Sequence, residues 1–167
     1  PDHAPREDVL REGEAPADPL AETLPPQRAG SAGASPSQAM RQELLRQLDL
    51  PADARLVGFV GRLAKQKRIE DLLWAMQITR QANEQAYLLI IGEGPERSAL
   101  EQHARDVEVE RHVRFLGHRE NAAELLPCLD VFWLASDFEG LSNSLMEAMA
   151  AGVPVVASSI GPNRELI

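Results

Sequence analysis

The fold is decided by residues 137–158, which read DFEGLSNSLMEAMAAGVPVVAS. Gly, Ser and Asn crowd the first part, which predicts a loop, and residues 144–151 follow as a short helix. Gly152 and Pro154 then end the helix and lead into an apolar strand that closes at Ala157. Loop, helix and strand in this order are one repeat of a βα architecture.

The same alternation extends towards the start of the chain. Continuous apolar runs predict buried strands at 56–60, 87–91, 113–116, 131–134 and 153–157. Helices are predicted at 40–50, 69–81, 96–106, 121–126 and 144–151, and the chain enters another at its end. Repeated βα units with short loops predict an α/β fold with a Rossmann-like, doubly wound parallel sheet.

Composition limits the class of protein. The 167 residues are 44% apolar, which is enough for one domain with a real core. A net charge of −9 argues against general affinity for nucleic acid. The one cysteine, Cys128, excludes a disulfide framework within the chain and is expected to be a buried small side chain. With no apolar run of membrane-spanning length and no signal peptide, the sequence predicts a cytoplasmic location.

The first 40 residues differ from the rest. Pro, Gly, Ala and Ser supply 21 of them, and seven acids stand against three bases. This composition predicts a disordered, low-complexity linker or insertion, with the folded domain at 41–167. A sheet of this kind normally has another strand and closing helices, so we expect a domain that is truncated at its C-terminus.

Ligands of doubly wound sheets bind beyond the carboxyl ends of the strands, where four loops carry polar residues. The loop after the first strand holds Gly61 and the four bases Arg62, Lys65, Lys67 and Arg68. Glycine lets a ligand approach the backbone, and such bases can clamp a diphosphate. The alternative is a solvated basic turn. The loop does not form the dinucleotide pattern G-x-G-x-x-G, which disfavours NAD binding.

The loops after the second and third strands are glycine turns. Gly92 and Gly94 form a tight turn before a helix, and turn chemistry alone is the alternative explanation for them. Leu116, Gly117 and His118 could place backbone groups beside a base ring. We expect His118 to be an exposed loop residue and not a catalytic one.

The fourth loop and its helix hold two carboxylates, Glu139 and Glu147, eight residues apart. A carboxylate beside the free N–H groups of a helix start fits a ligand that carries both hydroxyls and phosphates. Alternatively, Glu139 is a surface carboxylate and Glu147 completes a capping box with Ser144. Because no His or Cys cluster accompanies the acids, we expect no metal site.

Together the four loops are more specific than any one of them. Residues 41–167 resemble the donor-binding C-terminal domain of the retaining glycosyltransferases with a GT-B fold, family 4 or "group 1". The resemblance is carried by VGFVGRL at 57–63 with Lys67, IGEGPER at 91–97, VRFLG at 113–117, and Glu139-x7-Glu147 followed by AMAAGVPVVAS.

The resemblance implies a role for each loop in binding a nucleotide-diphospho-sugar such as a UDP- or GDP-sugar. Arg62 and Lys67 would hold the diphosphate, Glu139 would contact hydroxyls of the sugar, and these three would form the catalytic set. Glu147 would accept hydrogen bonds from the ribose. The remaining donor-binding positions would be the glycines Gly61, Gly92 and Gly94, the base-flanking residues Leu116, Gly117 and His118, and the phosphate-binding amides of Asn143, Ser144 and Leu145.

The resemblance also implies what the whole enzyme does. The family transfers the sugar with retention of configuration, needs no cofactor and usually no metal, and uses a glycan or lipid acceptor bound by an N-terminal domain that is missing here. The full-length enzyme could associate peripherally with a membrane. This fragment alone is expected to be inactive. Two alternatives stay open: a catalytically inactive, truncated donor-binding module, and a sugar-nucleotide epimerase, whose acid and base groups would come from the other half.

Overall fold

A computed structural model of the chain describes residues 35–167. Most of the predicted linker therefore lies outside the described residues. Helix α1, Pro36–Gln47, begins before the predicted helix start at residue 40 and ends before the predicted helix end at residue 50, so both predicted bounds of this helix are wrong. The cause is a capping box, in which the Ser35 hydroxyl accepts from the Gln38 amide and the Gln38 side chain accepts from the Ser35 amide. Pro36 supplies the helical φ of the first position.

Five parallel strands form the sheet, which confirms the predicted α/β class. They are β1 Arg55–Val60, β2 Ala86–Ile91, β3 Val113–Gly117, β4 Val131–Leu134 and β5 Val155–Ala157. The connecting helices are α2 Ile69–Ala82, α3 Arg97–Asp106, α4 Ala122–Leu125, α5 Asn143–Ala150 and α6 Gly161–Leu166. Single 3-10 turns lie at Lys65–Lys67, Glu110–His112 and Leu126–Cys128.

The strand order β3-β2-β1-β4-β5 makes the sheet doubly wound. The chain builds outward from β1 to β3 and then crosses back to β4 on the other side of β1. Right-handed crossovers therefore place α2 and α3 on one face and α4 and α5 on the other. The contacts agree, because α2 packs with α3 and α5 packs with α4. The strand order reverses between β1 and β4, which is where such folds bind ligands.

The core lies between the sheet and these helices. Phe59 of β1 and Phe132 of β4 are fully buried, as is Cys128. The predicted apolar stripe of α2 is confirmed, since Ile69, Leu72, Leu73 and Met76 are all buried. Removing a large aliphatic side chain from water stabilises the fold by about 1.5–3 kcal/mol. Within residues 35–167, no helix is both long enough and apolar enough to cross a bilayer.

An ionic cluster fastens α1 to the amino ends of β1 and β4. The Arg41 guanidinium donates to the Ala54 carbonyl and to Asp130 Oδ2, both at 2.7 Å, and the Leu56 amide donates to the same carboxylate oxygen at 2.7 Å. Burial of Asp130 opposes its ionisation, but the Leu56 amide and Arg41 outweigh burial and lower the pKa of this carboxyl below its ordinary value.

Candidate functional site

Loops after β1, β2 and β3 enclose a cavity of about 370 Å³ at the carboxyl edge of the sheet. Four of the predicted donor-site residues line it together: Gly61, Arg62, Gly92 and His118. Arg62 and His118 are exposed, as expected for His118. Glu93 and Arg119 also line it, with the apolar residues Val60, Ile91 and Ala122. The structure thus brings three of the four predicted loops to one place.

The glycines hold these loops against one another. Gly92 has φ +142°, and a Cβ on it would lie 1.9 Å from the Gly61 carbonyl oxygen. A Cβ on Gly94 would lie 2.2 Å from the Leu63 carbonyl oxygen. These contacts are far inside van der Waals distance, so only glycine fits at either position. Turn chemistry alone does not explain Gly92 and Gly94, because they permit two loops to touch.

Hydrogen bonds between the loops fix the same arrangement. The Gly61 amide donates to the Ile91 carbonyl at 3.0 Å, and the Gly92 amide donates to the Gly117 carbonyl at 2.8 Å. The Leu63 amide donates to the Glu93 carbonyl at 2.9 Å. Since the amides of Gly61 and Gly92 are committed in this way, these glycines shape the cavity wall and do not themselves present N–H groups to a ligand.

A β-bulge at the end of β3 aims the third loop. Ile90 pairs with Phe115 and Ile91 with Gly117, so Leu116 is the extra residue of the bulged strand. Gly117 then takes φ +70°, a conformation that favours glycine. The sequence predicted a regular strand end here, because a bulge depends on pairing with β2 and leaves no periodic signal. The bulge turns the chain so that His118 reaches the cavity.

Lys67 and Glu139 come from different loops and meet. Lys67 Nζ forms an ion pair with Glu139 Oε1, and the two side chains are only 14% and 9% exposed. The loops are joined further by the Asp137 amide, which donates to the Gln66 carbonyl at 2.9 Å. Glu139 is therefore not a solvated surface carboxylate, and that alternative is wrong. The ion pair places a cation and an acid beside the strand-order reversal.

Ser136, which the sequence did not single out, also reaches Glu139. It is 1% exposed, and its Oγ donates to Glu139 Oε1 at 2.5 Å. Behind it, Ser158 Oγ donates to the Ser136 carbonyl at 2.7 Å, and Asn163 Nδ2 donates to the Ser158 carbonyl at 3.0 Å. A polar residue directly after the apolar run of β4 is the one sequence signal that could have marked Ser136.

Arg68 differs from the other bases of its loop because two acids already hold it. Its guanidinium bonds Asp137 Oδ1 at 3.0 Å and Asp71 Oδ2 at 2.6 Å. The Asp137 hydrogen bond, followed by the attraction of Asp71, raises the pKa of Arg68. Arg62, which is exposed and lines the cavity, is thus better placed than Arg68 to meet an anion.

Helix α5 begins earlier than predicted. Ser142 is its N-cap, with Oγ accepting from the Leu145 amide at 3.4 Å, and Asn143 is its first residue. Glu147 is the fifth residue and exposed, so it lies beyond the opening turn. The predicted capping box between Ser144 and Glu147 is wrong, because Ser142 occupies the cap. Both serines suit that role chemically, and only the backbone conformation separates them.

The three predicted amide donors of α5 are not equivalent. The Leu145 amide bonds the Ser142 hydroxyl, and the Leu145 side chain is fully buried in the core. Asn143 and Ser144 lie at the N-terminal end of the helix, where the first amides have no intrahelical acceptor and the helix dipole favours anions. Asn143 and Glu147, four residues apart, share one face of α5.

A larger groove of about 680 Å³ lies between α2 and strands β4 and β5. Its floor is mainly apolar and includes the exposed side chains of Ile78 and Val156. Ser136 and Asp137, which belong to the loop that carries Glu139, also line this groove. It is larger than the glycine-walled cavity, but its charged groups, Arg68, Asp71 and Asp137, are already paired with one another. In residues 35–167, no group of three or more His, Cys, Asp or Glu side chains could hold a metal ion.

Comparison with known proteins places these features in a family. Residues 40–167 match the family described as "Glycosyl transferases group 1". The chain is 32% identical over 126 residues to N-acetyl-alpha-D-glucosaminyl L-malate synthase of Bacillus anthracis, covering 75% of this chain and 32% of that protein. It is 38% identical over 116 residues to the lipopolysaccharide core biosynthesis glycosyltransferase LpsE of Rhizobium meliloti, covering 69% and 33% respectively. The chain thus spans about a third of the length of these relatives.

A solved structure agrees with the sequence match. The crystal structure of Anabaena Alr3699/HepE in complex with UDP-glucose superposes with a TM-score of 0.70 at 29% sequence identity. The match covers 80% of this chain and 36% of that one. Sequence and fold therefore agree, and the chain belongs to the group 1 glycosyltransferases.

Proposed function

We propose that this chain is the donor-binding domain of a retaining glycosyltransferase and that it binds a nucleotide-diphospho-sugar at the carboxyl edge of its sheet. The observation that carries the proposal is the meeting of Lys67 and Glu139 beside the reversal of strand order. A cation and a carboxylate held together there match the two chemical parts of a sugar diphosphate. The UDP-glucose complex of the Anabaena protein supports this class of ligand.

The diphosphate would lie between the basic loop and the start of α5. Arg62 lines the cavity, Lys67 lies on the turn that follows it, and the first amides of α5 offer further donors to an anion. During transfer, the bond between the anomeric carbon and the diphosphate oxygen breaks, so negative charge grows on the leaving phosphate. Fixed cations and amides stabilise that charge, and losing one such donor typically costs about 3–4 kcal/mol.

Donor binding would exchange the partner of Lys67. In the structure, Lys67 Nζ is bound to Glu139. A phosphate carries more negative charge than a carboxylate, so Lys67 would move to it and release Glu139 Oε1. Glu139 would then accept hydrogen bonds from sugar hydroxyls and face the positive charge that develops on the sugar ring. Each group would therefore have a partner in the complex as well: the phosphate for Lys67 and the sugar hydroxyls for Glu139.

The nucleoside would extend towards the bulged end of β3. His118 lines the cavity beside Gly92, and Gly117 supplies the turn that places it there. Glu147, on the exposed face of α5 that it shares with Asn143, would accept from the ribose hydroxyls. The choice between a UDP- and a GDP-sugar depends on contacts to the base edge, and both stay open for this chain.

Transfer itself would require a second domain. Because the chain spans about a third of its relatives' length, we propose that acceptor binding belongs to an N-terminal domain that closes over the donor. A glycan or lipid acceptor, retention of configuration, metal independence and a cytoplasmic or membrane-peripheral location are parts of the same proposal. Family membership favours sugar transfer over epimerisation. A catalytically inactive donor-binding module would share the binding site and differ only in turnover.

Titration of the ¹⁵N-labelled 167-residue chain tests the proposal. UDP, UDP-glucose, UDP-N-acetylglucosamine and GDP-mannose would each be added while amide shifts are recorded, a method that tolerates weak binding. We expect shifts to concentrate at Arg62, Lys67, Gly117, His118 and Glu147, with exposed residues of α3 unaffected. The absence of saturable shifts with all four nucleotides would refute the donor-binding role. For a longer protein carrying this domain, the anomeric configuration of the product by NMR decides retention.

A further inference from the structure

A chain of buried and half-buried polar groups leads to the Glu139 carboxylate. Ser136, at the carboxyl end of β4, donates its only hydroxyl hydrogen to Glu139 Oε1. Its carbonyl accepts from Ser158, which follows β5, and the Ser158 carbonyl accepts from the Asn163 side chain of α6. Ser136 and Asn163 are each 1% exposed. A series of hydrogen bonds therefore connects α6 to the Glu139 carboxylate through the residues that follow β5 and β4.

The fixed backbone makes Ser136 a rigid donor. A buried hydroxyl without a partner costs free energy, and Ser136 satisfies its hydrogen on a carboxylate, the stronger type of acceptor. The Ser158 hydroxyl at 2.7 Å holds the Ser136 carbonyl, and the Ser158 amide donates to the Leu134 carbonyl at 2.8 Å. The Ser136 backbone is therefore held in place, and turning the hydroxyl away from Glu139 would leave a buried donor without its acceptor.

The two donors to Glu139 differ in how freely they can move. Within residues 35–167, Lys67 Nζ and Ser136 Oγ both bond Oε1, which leaves Oε2 as the oxygen open to a further donor. Lys67 is a flexible side chain that can move to a phosphate. Ser136 stays in place, because it belongs to the strand end. After Lys67 moves, Ser136 is the group that keeps the carboxylate plane oriented.

We propose that Ser136 is a positioning residue for donor-sugar recognition, which fixes the Glu139 carboxylate so that Oε2 faces the sugar hydroxyls. The inference rests on the proposed function. It assigns Ser136 to the sugar alone, because the buried hydroxyl contacts Glu139 and none of the groups assigned to the diphosphate or the nucleoside. Its signature is a loss of affinity for the sugar-nucleotide without a loss of affinity for the nucleotide.

The experiment compares affinities of the 167-residue chain for UDP and for whichever of UDP-glucose, UDP-N-acetylglucosamine and GDP-mannose binds most tightly, with GDP as reference in the last case. In Ser136→Ala, we expect sugar-nucleotide affinity to fall about 10-fold while nucleotide affinity changes less than about 2-fold. Ser136→Thr, which keeps the hydroxyl, restores the sugar-nucleotide affinity. Ser159→Ala, an exposed serine beside Ser158, serves as the matched control and binds like wild type.

Each outcome decides the inference. An equal loss for nucleotide and sugar-nucleotide in Ser136→Ala, no loss in either, or a failure of Ser136→Thr to restore affinity overturns it. If Ser136→Ala does not fold, Ser158→Ala decides in its place: a sugar-selective loss of about 3-fold supports the inference, and unchanged affinities overturn it. A wild type that binds nucleotide but gains nothing from any sugar overturns this inference alone. A wild type that binds no nucleotide refutes the proposed function, and this inference with it.

Discussion

Lys67 and Glu139 lie 72 residues apart in the chain and form an ion pair at the carboxyl edge of the sheet. Each is the other's partner in the structure and a donor-binding group in the proposed complex. Because both side chains are largely buried, removing either one leaves the other with an uncompensated charge. Binding and folding are therefore coupled at this pair, and the two effects must be measured separately.

Replacing Lys67 with Ala should weaken UDP binding at least about 10-fold, because the diphosphate loses a charged donor. It should also lower the free energy of unfolding by about 1–3 kcal/mol, since within residues 35–167 Glu139 then keeps only Ser136 as a partner. The variant Lys67→Ala/Glu139→Ala should recover part of the stability and none of the affinity. Urea unfolding and NMR titration measure the two quantities, with Arg105→Ala, an exposed base on α3, as control. Additive stability losses would contradict the ion pair.

Glu147 offers a test that separates binding from capping. In Glu147→Ala we expect weaker UDP binding, by about 3- to 10-fold, with the melting temperature unchanged, because Ser142 and not Glu147 caps α5. Ser142→Ala, which removes the cap, should lower the free energy of unfolding by about 0.5–2 kcal/mol. Thermal unfolding followed by circular dichroism checks both variants. A clear drop in melting temperature for Glu147→Ala would restore the capping role.

Gly92→Ala should be strongly destabilising. Its Cβ would overlap the Gly61 carbonyl, and its φ of +142° is unsuited to any other residue. Gly152→Ala is the matched comparison, because Gly152 has φ +73° and a Cβ added to it would meet nothing within 4 Å. We expect Gly152→Ala to lower the free energy of unfolding by about 1 kcal/mol through backbone strain alone. Gly92→Ala should lower it by at least about 2 kcal/mol more. Equal losses in urea unfolding would show that the loops can separate freely.

The Asp130 carboxyl predicts a dependence of stability on acid pH. Its pKa is lowered in the folded chain, so the ionised form is stabilised relative to the unfolded chain. The contribution is complete above the unfolded pKa of about 3.9 and is lost as pH falls through the lower folded value. Between about pH 5 and pH 2, wild type should lose more stability than Asp130→Asn, as measured by urea unfolding at each pH. Parallel pH curves for the two proteins would contradict this assignment.

The strands, the buried face of α2 and the site loops could be predicted from the sequence, because each follows from a local pattern of residues. The strands of the sheet are apolar runs, and their predicted bounds lie within two residues of the observed ones. The buried stripe of α2 follows from helical spacing alone. The loops that hold Arg62, Gly92, His118 and Glu139 could be named because strand ends in a parallel sheet meet at one edge.

What the sequence did not predict depends on distant pairing or on the backbone. The bulge at Leu116 requires the register with β2. The Ser136 carbonyl bonds Ser158, which follows β5, and Ser158 in turn bonds Asn163 of α6. The contact between Lys67 and Glu139 joins the loops that follow two neighbouring strands, β1 and β4. The start of α5 depended on which of two serines takes the extended N-cap conformation, and that choice is made by the loop before it.

The bonds that tie Gly61, Gly92 and Gly117 into one wall have a thermodynamic consequence for the arriving ligand. Loops that are disordered before binding lose their conformational freedom during binding, and affinity falls by that amount. Here the backbone of three loops is already fastened strand to strand, so that entropy has been lost during folding. The wall is preorganised, so these three loops would lose little further conformational freedom when a ligand binds.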